Sequence, residues 1–215
     1  MKISWNGHSC FTIEGENTTL VTDPHDGKSI GIRPPRLHGD VVLVTHEHFD
    51  HNAVKMVSGD PKVINTEFNG RVRDVEIKTI MGYHDDVKGA KRGEMRLYRF
   101  VMDGVRMLHC GDIGHIPTPD MLEKIGDVDI LFIPVGDVFT VGPEEAKKTI
   151  KLINPRLVIP MHYRVGGLSL SIRPLDDFLS LFPEDIVIRV GNEVEFERSD
   201  IEDGGIPESI WVFSL

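Results

Sequence analysis

The chain has 215 residues, of which 40 % are hydrophobic and 27 % are charged, a composition typical of a globular protein. This length favours a single domain over residues 1–215, because one hydrophobic core can still grow at this size. The formal net charge of −10 argues against broad binding to nucleic acid, and no apolar run approaches the ~20 residues that span a bilayer. The start, Met1 to Trp5, lacks the apolar stretch of a signal peptide, which predicts a cytoplasmic protein. The two cysteines, Cys10 and Cys110, are too few for a disulfide scaffold or a four-thiolate zinc site.

Short β-rich runs come first along the chain, and helical runs alternate with strands later. Apolar or alternating runs predict strands at 2–5, 10–14, 18–22, 41–45, 95–102, 105–109, 129–133, 156–160, 186–190 and 193–197. Helical spacing predicts helices from about 52 and at 119–125, 143–153 and 174–181. Two β-rich halves that each acquire helices fit a four-layer αββα sandwich of the α/β class. An ordinary three-layer α/β fold stays open at this point.

The most informative segment directly follows the fourth predicted strand and reads His46-Glu47-His48-Phe49-Asp50-His51. It holds four metal-ligand candidates within six residues, a pattern expected by chance in roughly 0.002 chains of this composition. In an extended segment His46 and His48 project to one side and Glu47 to the other. After a turn, Asp50 and His51 can face back from the opposite flank. Two such ligand sets suit two metal ions rather than one.

Each of these ions needs further ligands, and the downstream candidates are His84, Asp112 and His162. All three follow strand-like runs, so they could gather at one sheet edge. His109 competes with His84 as a third ligand of the first ion. Because His109 lies inside the strand that leads to Asp112, we interpret it as a core residue or one that orients a ligand.

Three further histidines, His8, His25 and His115, lie in loops beside these motifs and could touch substrate or donate a proton to the leaving group. A surface or supporting position is the commoner fate of such residues. We keep His8 as a candidate catalytic residue, and we assign His115 to the group that supports the ligands.

Cationic and aromatic side chains near the motifs have simpler interpretations. Lys91, Arg92 and Arg164 could bind an anion, although a solvated position is the expectation for such residues. Three phenylalanines are expected to pack in the interior, and these are Phe11, Phe132 and Phe139.

Several segments carry a resemblance to a known family: Trp5-Asn6-Gly7-His8-Ser9-Cys10, Thr22-Asp23-Pro24, Gly111-Asp112, Pro134-Val135-Gly136, Gly142-Pro143-Glu144-Glu145-Ala146 and Ile159-Pro160-Met161-His162-Tyr163. With the His-rich motif, and in this order, they resemble the metallo-β-lactamase superfamily. The similarity is to its small lactonase-like branch, which includes ascorbate-6-phosphate lactonase. It covers nearly the whole chain and is specific for the fold and the metal site.

The resemblance implies a ligand set that is carried over residue by residue. One metal would be held by His46, His48 and His84, and the second by Asp50, His51 and His162. Asp112 would bridge both metals, and Asp23 would orient a ligand imidazole through its free N–H. In true β-lactamases a cysteine commonly takes the place of Asp112, so antibiotic hydrolysis is disfavoured.

These features predict a dinuclear metal-dependent hydrolase in which a metal-bridging hydroxide attacks a small phosphorylated, phosphodiester or lactone-type substrate. The proposed catalytic residues are Asp50, Asp112 and His8. Nitrogen and oxygen ligands favour Zn²⁺ and also suit Mn²⁺ or Fe²⁺. The centre would carry about +1, so we expect an anionic small-molecule partner, with no membrane and with nucleic acid disfavoured. A homo-oligomer is compatible with the sequence.

Other functions stay open. A nucleic-acid phosphodiesterase is opposed by the acidic balance and the lack of a long basic insertion. A thioesterase is disfavoured because no helical extension follows the last strands. A redox or metal-binding module with a di-iron site would be distinguished by metal analysis and an absorption spectrum.

Overall fold

The computed structural model describes residues 1–202 and 208–215. The strands are β1 Lys2–Trp5, β2 Phe11–Glu14, β3 Thr19–Thr22, β4 Leu37–His38, β5 Val41–Leu43, β6 Val57–Ser58, β7 Lys62–Ile64, β8 Asn69–Val72, β9 Val75–Tyr83, β10 Glu94–Met102, β11 Val105–His109, β12 Ile130–Pro134, β13 Leu157–Met161, β14 Val187–Gly191, β15 Glu193–Glu195 and β16 Ser209–Phe213. The helices are α1 Pro119–Ile125, α2 Pro143–Ile153, α3 Leu175–Leu179 and α4 Arg198–Glu202. Single 3₁₀ turns lie at Lys28–Ile30, Val54–Met56 and Glu184–Ile186.

Two mixed sheets form the body of the structure. A six-stranded sheet has the order β15-β1-β2-β3-β5-β7, and an eight-stranded sheet has the order β14-β16-β13-β12-β11-β10-β9-β8. In the first sheet β3, β5 and β7 are parallel, and in the second sheet β11, β12, β13 and β16 are parallel. Parallel pairing places the carboxyl ends of neighbouring strands at a common edge.

The inner faces of the sheets meet in one apolar cluster. Phe11 of β2 contacts Phe132 of β12 across the interface, with ring centroids 4.8 Å apart. Trp5, Tyr98 and Phe100 are also fully buried there. Rings of this size remove a large apolar area from water and so contribute much of the driving force for sheet packing. The packing predicted for Phe11 and Phe132 is confirmed.

Helices flank the sheets, which confirms the predicted mixed α/β class. Helix α1 contacts β9, and α2 contacts β12 and α3. The outer face of the smaller sheet buries Val21 and Val42 under a two-stranded ladder of β4 and β6. In the part of the chain that the structure describes, no helix is long and apolar enough to cross a membrane.

The helix predicted from about 52 is wrong, because only the 3₁₀ turn Val54–Met56 forms there. The next residue, Val57, pairs with Leu37 in the β4–β6 ladder, and this extended pairing ends the turn. Six strands were not predicted at all: β4, β6, β7, β8, β9 and β16.

Candidate metal centre

The candidate ligands all follow strands that end at the same edge of the two sheets. Asp23 follows β3, His84 follows β9 and His162 follows β13. The His-rich segment from His46 begins three residues after β5, and Asp112 lies three residues after β11. The strand ladders therefore fix the backbone from which each side chain enters the site.

One group of ligand candidates consists of His46, His48 and His84, with one ring nitrogen of each within 4.8 Å of the others. His46 and His84 are buried, whereas His48 is exposed. Burial, and then the nearby positive charge of His51, lowers the pKa of His46 to about 3. Burial also lowers the pKa of His84. Neutral imidazole is the form that binds a metal, and no atom of the described residues forms a hydrogen bond with the buried Nε2 of His46.

A second group contains His8, Asp50, His51 and His162, again with one potential ligand atom of each within 4.8 Å of the others. Nε2 of His8 lies 3.2 Å from Oδ2 of Asp50, and the His8 ring centroid is 4.1 Å from that of His162. Burial would raise the pKa of Asp50, but the His51 charge and the His8 hydrogen bond lower it below its usual range. The family resemblance implies Asp50, His51 and His162 as ligands of the second metal, and the structure adds His8 to this group.

Asp112 lies between the two groups. Its Oδ2 is 3.1 Å from Nε2 of His162 and 3.2 Å from Nε2 of His51, and it is 3.4 Å and 3.9 Å from Nε2 of His84 and His46. Burial would raise the pKa of Asp112, but His162 and His51 keep it well below its usual range. Its Oδ1 is buried and has no hydrogen-bond partner in the described part of the chain. An ionised oxygen left in this state is costly, and a bound cation would satisfy it.

Asp23 supports the candidate metal centre through its contact with the His51 ring. Its Oδ2 lies 3.0 Å from Nδ1 of His51, so that the Nε2 of this ring faces Asp112. The Asp23 carboxylate also accepts hydrogen bonds from the Thr45 backbone N–H at 2.8 Å and from the Thr45 hydroxyl. Burial lowers the pKa of His51, but Asp112 and Asp23 outweigh it and raise that pKa well above its usual value. The two carboxylates therefore create a place that favours positive charge.

Three histidines outside the two groups, His25, His109 and His115, have backbone partners. Nε2 of His109 lies 3.0 Å from the Ser9 carbonyl oxygen, and its Nδ1 accepts the Gly111 N–H, which supports its interpretation as a residue other than a ligand. His25 contacts the carbonyl oxygens of Asn6 and Gly7. His115 accepts the Tyr83 N–H, and so supports the backbone next to His84. Neither His25 nor His115 lines the cavity over the centre.

That cavity has a volume of about 270 Å³ and opens above the two groups. Its lining comprises His48, Phe49, Asp50, His84, Arg92, Asp112, Phe139, His162 and Leu170. The Cζ atom of Arg92 lies 5.1 Å from the centroid of the Phe139 ring, a cation–π arrangement. Tertiary structure brings Arg92 and Phe139, which are both half-buried, to the cavity wall, so Arg92 is partly solvated and Phe139 is partly packed in the interior. The solvated interpretation holds for Lys91, which is exposed and pairs with Asp86, and Arg164 is exposed as well.

Comparisons with known proteins agree with this geometry. Residues 2–162 match a family model described as a beta-lactamase superfamily domain. A UPF0173 metal-dependent hydrolase of Thermococcus onnurineus is 30 % identical over 190 residues, which cover 76 % of this chain and 84 % of the relative. A UPF0173 metal-dependent hydrolase of Archaeoglobus fulgidus is 26 % identical, and the match covers 92 % of this chain and 100 % of the relative. A crystal structure from Thermotoga maritima, described as a candidate Zn-dependent hydrolase of the metallo-beta-lactamase superfamily, has a TM-score of 0.81, with 36 % identity and coverage of 99 % and 97 %.

Proposed function

Since the chain belongs to the beta-lactamase superfamily, we propose that its His/Asp centre binds two divalent metal ions and hydrolyses a small phosphorylated, phosphodiester or lactone-type substrate. The chain is a metal-dependent hydrolase of the metallo-beta-lactamase superfamily. The observation that carries our proposal is the position of Asp112. One of its oxygens lies within 3.1–3.9 Å of imidazoles from both ligand groups, as a carboxylate shared between two ions would.

The side chains fit such ions on chemical grounds. Among the described residues, Nε2 of His46, Nε2 of His51 and Oδ1 of Asp112 are buried without hydrogen-bond partners. Buried polar atoms are rarely left in this state, so three of them at one place support the binding of a cation there. Their nitrogen and oxygen donors suit Zn²⁺ first, and also Mn²⁺ or Fe²⁺. When bound, divalent ions supply Lewis acidity and lower the pKa of water towards ~7.

Other residues of the protein orient and position the candidate ligands. Asp23 holds His51 in the orientation that turns Nε2 towards Asp112, and Thr45 holds Asp23 in turn. His8 is buried, contacts Asp50 and does not line the cavity, so we assign it to positioning Asp50. This assignment replaces proton donation to the leaving group, because that role needs a side chain that substrate can reach.

Charge and volume limit the substrate. With two divalent ions bound, the centre would carry positive charge inside a chain whose net charge is −10, so a small anion would be attracted locally while a long polyanion would be repelled by the rest of the surface. A cavity of about 270 Å³ lies just below the roughly 300–1,000 Å³ of common ligand pockets. Both properties favour a small molecule over nucleic acid.

Metal counting and activity measured on the same preparation test the proposal. We expect about two metal equivalents per chain after loading with Zn²⁺ or Mn²⁺, and hydrolysis of model lactones or phosphodiesters. Asp112→Asn should lose activity and metal, whereas Asp120→Asn, at an exposed position in the first turn of α1, should keep both. One equivalent per chain would refute the paired centre. Two irons with redox activity and no hydrolysis would favour the redox alternative.

A further inference from the structure

Arg92 is a cation on the wall of the cavity. Arg106 and Arg173 each form ion pairs with aspartates, as does Arg73. Within residues 1–202 and 208–215, by contrast, no carboxylate forms an ion pair with Arg92, which is half-buried beside Phe139. Acidic residues outnumber basic ones by ten in this chain, so a guanidinium that faces a cavity without a carboxylate partner is available for an external anion.

The backbone that carries Arg92 is held by one carboxylate. Asp85 is buried and accepts four backbone N–H groups, from Val87, Gly89, Lys91 and Arg92, at distances of 2.7–2.9 Å. The loop is closed again where the His84 N–H donates to the Gly93 carbonyl oxygen at 3.1 Å. These contacts fix the place at which the Arg92 side chain leaves the backbone.

Phe139, the other member of the pair, is held by a tight turn. Asp137 and Val138 have φ of 57° and 62°, and this region is a genuine outlier for a β-branched residue such as Val138. The Phe139 N–H donates to the Asp137 carbonyl oxygen at 2.6 Å, and the Arg173 side chain contacts the Asp137 carboxylate. Strain of this kind persists only where surrounding structure imposes it. The strained turn directs Phe139 to the cavity, where its ring supports the guanidinium of Arg92.

Building on the proposed function, we infer that Arg92 determines specificity by binding an oxyanion that the substrate carries apart from the bond that is hydrolysed. The oxyanion is a carboxylate or a phosphate, which the planar guanidinium can bind through two parallel hydrogen bonds. Phe49 and Leu170 provide apolar wall for the part of the substrate between the two ends. Asp85 is a positioning residue for this interaction.

Binding of paired carboxylic acids tests the inference without relying on turnover. The probes are succinate, glutarate and adipate, each compared by calorimetry with the monocarboxylate of equal carbon number (butyrate, valerate or hexanoate). A monocarboxylate can occupy only the metal end, whereas a dicarboxylate of suitable length also reaches Arg92. The zinc-loaded wild type should prefer at least one dicarboxylate about tenfold or more. This preference should disappear in Arg92→Met and persist in Arg71→Met, since Arg71 is exposed and pairs with the end of β9 remote from His84.

The Asp85→Asn variant distinguishes the loss of Arg92 positioning from a general loss of structure. It should reduce the preference for the dicarboxylate while monocarboxylate affinity and zinc content stay near the wild-type values. Equal affinity for both classes in the wild type, or a preference that survives Arg92→Met, would overturn the inference. A preference that depends on Arg92, in a protein that hydrolyses no lactone or phosphodiester, would instead refute the proposed function and leave the oxyanion site standing.

Discussion

Replacing Asp23 by Asn changes one atom in the buried support of the centre. The Thr45 N–H faces Oδ1 of Asp23, so the amide oxygen of Asn should stay there and accept that hydrogen bond. The amide NH₂ then replaces Oδ2, the atom that lies 3.0 Å from Nδ1 of His51 and 2.8 Å from the Thr45 hydroxyl. Two donors now face each other at His51. The conflict is relieved if the His51 proton moves to Nε2, but that nitrogen is the one offered to a metal.

The magnitude follows from the contact that is lost. A hydrogen bond to a charged group contributes about 1.5–3 kcal/mol, and each 1.4 kcal/mol changes an equilibrium tenfold. Loss of a carboxylate behind a metal-binding histidine typically reduces metal affinity or activity by about 10–100-fold. We therefore expect Asp23→Asn to weaken binding of the metal at His51 by about 10–100-fold. Competition with a chromophoric zinc chelator at fixed pH measures this change.

A matched control is Asp129→Asn. Asp129 is a partly buried carboxylate that, like Asp23, accepts a backbone N–H, from Arg106 at 2.8 Å, but it takes no part in the centre. It should keep wild-type zinc affinity even if the protein is less stable. Thr45→Val, which removes only the hydroxyl donor to Asp23, should lose less affinity than Asp23→Asn. If Asp23→Asn binds zinc within twofold of the wild type, the proposed support of His51 is refuted.

Three further predictions concern metal content, stability and pH. His48→Ala and His162→Ala should each reduce the metal content from about two equivalents to about one by elemental analysis, and loss of neither metal would contradict two separate ligand groups. Tyr98→Phe should lower the free energy of unfolding in urea by about 1–2 kcal/mol, because the Tyr98 hydroxyl contacts the buried carbonyl oxygens of Val44 and Ile64, whereas Tyr83→Phe should have little effect. Burial would raise the pKa of Asp129, but its bonds to Arg106 lower it, so its contribution to stability is complete above pH ~4 and is lost as the pH falls further. The stability difference between wild type and Asp129→Asn should accordingly shrink between pH 7 and pH 3.5, and a constant difference would contradict the linkage.

The local pattern of hydrophobic residues predicted strands correctly where one kind of run, alternating or continuously apolar, dominates a segment. The alternating run at 2–5 coincides with β1, and the apolar run at 129–133 with β12 to within a residue. Strand β9 carries the same kind of signal, because Val75 and Ile77 are buried while Glu76 between them is exposed, and period-two counting could have found it. Strand β16 is different. It enters the sheet between β13 and β14, and no local feature of a five-residue apolar run indicates this position.

The same contrast applies to the site. Four ligand candidates lie within six residues, and His84, Asp112 and His162 follow strand-like runs, so the sequence alone could place them together. The contact between Arg92 and Phe139 joins residues 47 positions apart on two loops, and neither loop has a period that predicts it. A signal for the first loop does exist in Asp85 followed by Gly89 and Gly93, since Asp and Gly favour local turns.

This difference reflects how the two parts of the site are held. The ligand side chains leave the ends of strands whose ladders are formed by backbone hydrogen bonds, so their positions depend on the whole fold. The loop that carries Arg92 is held by hydrogen bonds that backbone N–H groups donate to the Asp85 carboxylate, and none of these bonds involves the side chain of Lys91 or Arg92. Substituting Arg92 should therefore change which anion is recognised while the loop keeps its path and His84 keeps its place. Substrate preference can change through such loop side chains without disturbing the groups that bind the metal.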